Sequence, residues 1–166
     1  MQNNIILVGF MGCGKSTVGK LLAEQLHYKF IDTDTLIEQN ENMSVNDIFS
    51  QKGEEYFRVT ETTVAKDLSQ KNGLVIATGG GMMLNPDNAK ALNQTGITFW
   101  IKVTPETVLK RLADDTSRPL LQREDKEAAV RELMQLRERS YASVCAHHVD
   151  GNGEPTAVVK KILAIL

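Results

Sequence analysis

The sequence predicts an α/β protein in which helices cover both faces of a parallel sheet. Short apolar, β-rich runs alternate with amphipathic segments along the 166 residues. No repeat, low-complexity tract or linker interrupts this alternation, and a glycine-rich stretch follows the first apolar run. Alternation of strands and helices is typical of parallel sheets buried on both faces. We therefore expect a single domain over residues 1–166, long enough to bury a core.

The predicted strands are short and apolar, and each is followed by a segment with polar or glycine-rich character. The first, Ile5-Ile6-Leu7-Val8, is a continuous apolar run, as expected for a central strand. The complete set of predicted strands covers residues 5–8, 29–31, 74–77, 97–103 and 147–149. Ligands of such sheets bind at the carboxyl ends of the strands, so the motifs that follow these runs are the candidate site.

The predicted helices lie between the strands. Apolar residues recur at helical spacing in the first of them. Ser44 and Asp47 form a variant of the capping box, and Pro105 suits the first position of a helix. Residues 113–126 are polar and are expected to be irregular. Helices are predicted over residues 16–26, 54–68, 86–92, 128–146 and 155–166, and after Ser44 and Pro105.

Composition excludes several classes of protein. The chain has 19 basic and 21 acidic residues, a formal charge of −2, so no basic field points to a nucleic-acid partner. Two cysteines, Cys13 and Cys145, are too few for a disulfide scaffold and favour a reducing compartment. No signal-type segment precedes the first strand, and no apolar segment is long enough to span a membrane. We expect a cytoplasmic protein without a membrane partner.

The stretch GFMGCGKST, Gly9–Thr17, fits the phosphate-binding pattern G-x-x-x-x-G-K-[ST]. Glycines such as Gly14 let backbone N–H groups surround phosphate oxygens, and the following helix directs its positive end to the anion. In this pattern Lys15 reaches the β- and γ-phosphates and Ser16 binds Mg²⁺. The alternative is a glycine turn with a surface lysine. The strand before the stretch and the helix after it favour a phosphate-binding site.

Two aspartates, Asp32 and Asp34, follow the second predicted strand. If the strand stays extended, residues two apart share a face. One carboxylate is then placed to support Mg²⁺ and the other to orient an acceptor hydroxyl towards the γ-phosphate. The alternative is an acid that caps a helix near Thr35.

Three later motifs contain an arginine or a run of glycines. GEEYFR contains Arg58, which either binds an anion or pairs with Glu54 four residues earlier. TGGG follows the third strand, and its backbone N–H groups can approach a ligand closely, unless the glycines form only a flexible turn. SRPLL lies in the polar segment, where Arg118 either closes over the phosphates or is an exposed loop residue.

The order of these motifs, with RxxxY at Arg137–Tyr141, closely resembles the shikimate kinase family over nearly the whole chain. That family transfers the γ-phosphate of ATP to the 3-hydroxyl of shikimate, in aromatic amino acid (chorismate) biosynthesis. The resemblance implies a three-layer P-loop kinase fold, with a five-stranded parallel sheet in the order 2-3-1-4-5. It also implies a shikimate-binding segment over residues 33–61, a lid over residues 116–125, and shikimate and ATP as the small-molecule partners of a monomer.

Position by position, the resemblance also implies site roles. Lys15, Asp34 and Arg118 are the expected catalytic residues, and Ser16 and Asp32 the expected Mg²⁺ ligands. The expected ATP-binding residues are Gly12, Cys13, Gly14, Lys15, Ser16, Thr17, Arg111 and Arg118. The expected shikimate-binding residues are Asp34, Arg58, Gly79, Gly80, Gly81 and Arg137. This assignment agrees with the chemistry, because two arginines suit one carboxylate and an aspartate suits vicinal hydroxyls.

One position departs from the family pattern. Many members have an arginine in the loop before the last helix, but residues 150–155 here contain none. Arg111 is left to cover one face of the base, so the base preference stays open. Cys13, beside Lys15, is either a reactive thiol or a small residue tolerated in the loop.

Two other functions compete with this interpretation. A gluconate kinase also needs an acceptor site for a carboxylate and hydroxyls, but the combination of DTD, GEEYFR and GGG weighs against it. A nucleotide switch protein is a different class, and the guanine-reading pattern N-K-x-D is absent from the chain. Phosphoryl transfer to an added hydroxy acid distinguishes an enzyme from a switch.

Overall fold

The computed structural model describes residues 3–115 and 124–166. Its strands form one parallel five-stranded sheet in the order β2-β3-β1-β4-β5, which confirms the predicted fold class and strand order. The strands are β1 (Asn4–Val8), β2 (Lys29–Asp32), β3 (Leu74–Ala77), β4 (Gly96–Lys102) and β5 (His147–Asp150).

Helices lie between the strands, close to the predicted ranges. The structure adds a helix over Thr33–Glu41, which the sequence offered only as an alternative near Thr35, and a short 3₁₀ helix, Met82–Leu84, directly after the three glycines. Ser44 caps a helix as predicted, since its Oγ accepts a hydrogen bond of 3.1 Å from the Asp47 N–H. The helices are α1 (Lys15–Leu26), α2 (Thr33–Glu41), α3 (Val45–Lys52), α4 (Glu54–Leu68), α5 (Pro86–Asn93), α6 (Pro105–Arg111), α7 (Lys126–Val144) and α8 (Pro155–Leu163).

The central strand β1 is buried on both faces, which explains its continuous apolar sequence. Side chains of a strand alternate between faces, so Leu7 and Ile6 enter different cores. Leu7 packs in the core that contains Leu22 and Phe99. Ile6 packs in the core on the other face, which contains Ile76. Because helices cover both faces, a ligand of this sheet would bind at the ends of the strands, and the predicted site motifs follow the carboxyl ends.

The second strand does not stay extended through both aspartates. It ends at Asp32, and helix α2 begins at Thr33. The Oδ1 atom of Asp32 accepts hydrogen bonds from the N–H groups of Asp34, at 3.0 Å, and Thr35, at 3.2 Å. Asp32 and Asp34 therefore do not share one face of an extended strand, because the Asp32 side chain caps the helix and turns the chain. Asp34 instead lies in the first turn of α2.

No helix within residues 3–115 and 124–166 is both long enough and apolar enough to cross a membrane.

Candidate active site

The glycine-rich stretch forms a loop between β1 and α1 around a polar cavity. Gly12 and Gly14 have φ values of 78° and 97°, a region that disfavours any residue with a side chain. Lys15 is the first residue of α1 and is buried. Its Nζ donates hydrogen bonds to the carbonyls of Gly9, at 2.7 Å, and Phe10, at 3.1 Å. The cavity has a volume of about 210 Å³ and lies against the amino end of α1, where helices bind anions.

Ser16 and Asp32 meet beside this cavity. The Ser16 hydroxyl donates a hydrogen bond of 2.6 Å to Oδ2 of Asp32, while Oδ1 of Asp32 caps α2. The described part of the chain has no cluster of three or more histidine, cysteine or acidic side chains that suits a metal. A pair of oxygen ligands nevertheless suits Mg²⁺, which binds through one or two protein groups, substrate phosphates and water.

Cys13 lies within the same loop and is buried. Its Sγ is 3.5 Å from Nζ of Lys15. A Cβ atom on Gly9 would lie 2.7 Å from the same sulfur, so this side chain fills the space beneath the loop. The position favours the interpretation of Cys13 as a small packing residue.

A second cavity, which we call the acceptor pocket, opens beside the first. Its volume is about 310 Å³. Asp34 lines both cavities, as do Asp32 and the first two of the three glycines. A molecule in the acceptor pocket would therefore have Asp34 between it and the phosphate cavity. The pocket is lined by Met11, Asp32, Asp34, Thr35, Glu38, Ser44, Val45, Asn46, Phe49, Phe57, Arg58, Glu61, Gly79, Gly80, Gly81 and Arg137.

The three glycines each face a charged side chain of this pocket. A Cβ atom on Gly79 would lie 2.6 Å from Oδ1 of Asp34. A Cβ atom on Gly80 would lie 2.8 Å from Nη1 of Arg137, and one on Gly81 would overlap Nη1 of Arg58. The glycines thus let the charged ends of three side chains come close to the backbone, and a Cβ atom at any of these positions would make its neighbour shift.

Arg58 forms two ion pairs along α4. Its guanidinium is 3.1 Å from the exposed carboxylate of Glu54 and 2.8 Å from the buried carboxylate of Glu61. The pair with Glu54, the alternative that the sequence left open, therefore exists together with a place in the acceptor pocket. Burial raises the pKa of Glu61 to about 7, although the charge of Arg58 opposes the rise.

Glu61 is a buried acidic residue of the pocket to which sequence reasoning assigned no individual role. Residues 54, 58 and 61 are four and three positions apart, so they share one face of a helix. That spacing was the signal in the sequence that Glu61 could contact Arg58. The signal could not show that Glu61 is buried and Glu54 exposed, because burial depends on the packing of α4 against the sheet.

Arg137 is a buried arginine of α7, with only 3% of its surface exposed. Its Nε and Nη1 atoms have no hydrogen-bond partner among the described residues. The guanidinium carbon lies 5.7 Å from the centre of the Phe10 ring. Buried donors without an acceptor are costly, so an anionic group in the pocket would stabilise this side chain.

Arg111, the last residue of α6, contacts the phosphate loop. It donates hydrogen bonds to the carbonyls of Gly12, at 3.2 Å, and Gly151, at 3.0 Å. It also lines a cavity of about 690 Å³, together with Thr17 and the loop before α8. Residues of the phosphate loop line part of this third cavity, which is large enough for a nucleoside. Arg118, and with it most of the expected lid over 116–125, lies outside the described residues.

The fold and the adjoining cavities define a small-molecule kinase with a phosphate-binding loop. A family model described as shikimate kinase matches residues 11–166. The chain belongs to the shikimate kinase family, and it is therefore an ATP-dependent kinase.

Similar proteins agree with this assignment. A shikimate kinase of Caldanaerobacter subterraneus is 48% identical over 84% of this chain and 82% of its own length. A shikimate kinase of a Sulfurihydrogenibium species is 42% identical over 98% of this chain and 96% of its own length. The solved structure of a shikimate kinase from Acinetobacter baumannii, in complex with shikimate, has a TM-score of 0.96 and 38% identity. It covers 99% of this chain, which covers 93% of that structure.

Proposed function

We propose that this protein transfers the γ-phosphate of ATP to the 3-hydroxyl of shikimate, giving shikimate 3-phosphate and ADP for aromatic amino acid biosynthesis. The observation that supports this most directly is the buried guanidinium of Arg137, which has unpartnered donors, in a pocket that adjoins the phosphate loop. A substrate that carries a carboxylate at one end and hydroxyls at the other matches this arrangement.

The carboxylate of the acceptor binds at the end of the pocket that holds Arg58 and Arg137. Two guanidinium groups supply paired donors that match the geometry of a carboxylate. Gly81 lies against Arg58 and Gly80 against Arg137, so the backbone of the glycines approaches the same end of the pocket. Glu61 holds Arg58 in place through the 2.8 Å ion pair.

Asp34 acts on the reacting hydroxyl. Its place in the lining of both the acceptor pocket and the phosphate cavity supports this role. Asp34 orients the 3-hydroxyl and takes its proton as the oxygen forms a bond to the γ-phosphorus. The bond from that phosphorus to the bridging oxygen of ADP breaks in the same transfer.

The phosphates bind in the loop between β1 and α1. Lys15 exchanges its bonds to the Gly9 and Phe10 carbonyls for bonds to the β- and γ-phosphates, and Arg118 adds a second positive charge. Ser16 and Asp32 hold Mg²⁺, which when bound neutralises charge on the phosphate oxygens. The nucleoside occupies the cavity beside Arg111.

A monomeric, cytoplasmic protein without a nucleic-acid partner remains our expectation, as does the single domain over 1–166.

A coupled assay of ADP release tests the proposal. Purified protein is given ATP and Mg²⁺ with shikimate, with gluconate, or with no acceptor. We expect rapid turnover with shikimate alone, and we expect Arg137→Ala to raise the KM for shikimate far more than the KM for ATP. Turnover of gluconate but not shikimate would show that the proposed acceptor is wrong. Equal rises in both KM values would remove Arg137 from the carboxylate site.

A further inference from the structure

Tyr141 lies one helical turn after Arg137 on α7, and only 2% of its surface is exposed. Its hydroxyl donates a hydrogen bond to the carbonyl oxygen of Gly80, and its ring packs against Trp100 with 5.9 Å between the ring centres. We propose that Tyr141 is a positioning residue of the acceptor site: by holding the Gly80 carbonyl, it directs the next N–H and the Arg137 guanidinium towards the acceptor carboxylate. This inference rests on the proposed function.

The other two carbonyls of the glycine turn have local partners. The carbonyl of Gly79 accepts a hydrogen bond from Met82 at 3.1 Å, and that of Gly81 accepts one from Leu84 at 3.2 Å. The carbonyl of Gly80 has no such local donor, and Tyr141 is the side chain that reaches it from α7. Since glycine can adopt many backbone conformations, an external bond is needed to select one orientation of this peptide.

Peptide geometry connects that bond to the pocket. The Gly80 carbonyl and the Gly81 N–H belong to one planar trans peptide, so they point in opposite directions. Tyr141 holds the carbonyl towards α7, and the Gly81 N–H is consequently directed away from α7. Within residues 3–115 and 124–166 the Gly81 N–H donates to no carbonyl or side chain, so it is available to a ligand.

The same bond confines the guanidinium of Arg137. A Cβ atom on Gly80 would lie 2.8 Å from Nη1 of Arg137 and 3.7 Å from the hydroxyl of Tyr141. The Phe10 ring lies on the guanidinium at 5.7 Å. Rotation of the Gly80 peptide would therefore change the surface against which Arg137 packs. The two unpartnered donors of Arg137 would then no longer be held in one orientation.

Tyr141 remains a donor under ordinary assay conditions. Burial raises its pKa to about 12, although the positive charge of Arg137 opposes the rise. Replacement by phenylalanine therefore removes one donor and leaves the ring packed on Trp100. Tyr28 offers a matched control, because it is partly buried in the other core and its hydroxyl has no described role in the site.

The test compares Tyr141→Phe with Tyr28→Phe and the wild type, each assayed well below its own melting temperature. We expect Tyr141→Phe to raise the KM for shikimate about fivefold, the usual effect of one lost hydrogen bond, with the KM for ATP unchanged. Tyr28→Phe should change neither. An unchanged KM for shikimate in Tyr141→Phe would overturn the inference, as would an equal rise in both KM values.

A substrate analogue separates positioning from general damage. In this analogue a primary alcohol replaces the carboxylate of shikimate. We expect Tyr141→Phe and wild type to have equal kcat/KM values for the analogue, because the group that Tyr141 helps to bind is missing. An equal loss of kcat/KM for shikimate and for the analogue would contradict the proposed role. A wild type that does not phosphorylate shikimate would instead refute the proposed function.

Discussion

Replacement of Glu61 by glutamine removes a buried carboxyl group from the acceptor pocket and keeps the shape of the side chain. Burial raises the pKa of Glu61 from 4.5 to about 7. Between pH 4.5 and about pH 7, the carboxyl of Glu61 binds a proton in the native state but has released it in the unfolded chain. The free energy of unfolding therefore falls as the pH rises through this window, and the contribution of the protonated carboxyl is fully present only below about pH 4.5.

The size of the effect follows from the displacement of the pKa. A rise from 4.5 to about 7 corresponds to roughly 3 kcal/mol, at about 1.4 kcal/mol for each pKa unit. Most of this change falls between about pH 5 and about pH 8, so we expect a loss of roughly 2 kcal/mol over that range. Because Glu61 is 1% exposed, solvent screening reduces the figure little.

Urea denaturation at several pH values measures this contribution. The wild type should lose roughly 2 kcal/mol more stability than Glu61→Gln between about pH 5 and about pH 8. Glu54→Gln is the matched control, because Glu54 also pairs with Arg58 but is exposed. Its pH profile should parallel that of the wild type. If the profile of Glu61→Gln also parallels the wild type, the carboxyl of Glu61 is ionised throughout and the reasoning from burial is wrong.

Three further substitutions test the site. Lys15→Ala should lower kcat at least tenfold, because the phosphates lose their buried cation, and a rate assay with more than a tenth of wild-type turnover would contradict this role. Gly79→Ala should raise the KM for shikimate about tenfold, because its Cβ would lie 2.6 Å from Asp34 Oδ1; an unchanged KM would show that the turn adapts. Arg111→Ala should weaken ATP binding several-fold in calorimetric titration and leave the KM for shikimate unchanged, because the side chain that bonds the Gly12 and Gly151 carbonyls is lost. Equal effects on ATP binding and on the KM for shikimate would show that Arg111 does not act at the nucleotide site.

Much of the fold could be predicted because its signals are local. The apolar run of β1, the proline at the start of α6 and the cap at Ser44 each act within a few residues. Helix ends were less predictable. The last helix ends at Leu163 and α7 begins at Lys126, each a few positions from the prediction, because helix ends depend on caps and tertiary contacts.

The second strand shows why a pattern of alternation is not enough. Asp32 and Asp34 are two apart, as they would be on one face of a strand, yet Asp32 caps α2 and ends the extended region. Both side chains still line the phosphate cavity and the acceptor pocket. Their meeting was therefore anticipated, and the cap at Asp32 is the alternative that the sequence had left open.

The sequence by itself determined the phosphate loop and the parallel sheet, because glycine spacing, the following helix and the buried strand are encoded in neighbouring residues. The tertiary structure alone decided which charged group each glycine faces, that Glu61 is buried beside Arg58, and that Tyr141 reaches a carbonyl 61 positions earlier in the chain. The reason is physical. Contacts across such separations arise from strand order and helix packing, and these are set by the burial of the whole core rather than by any short segment.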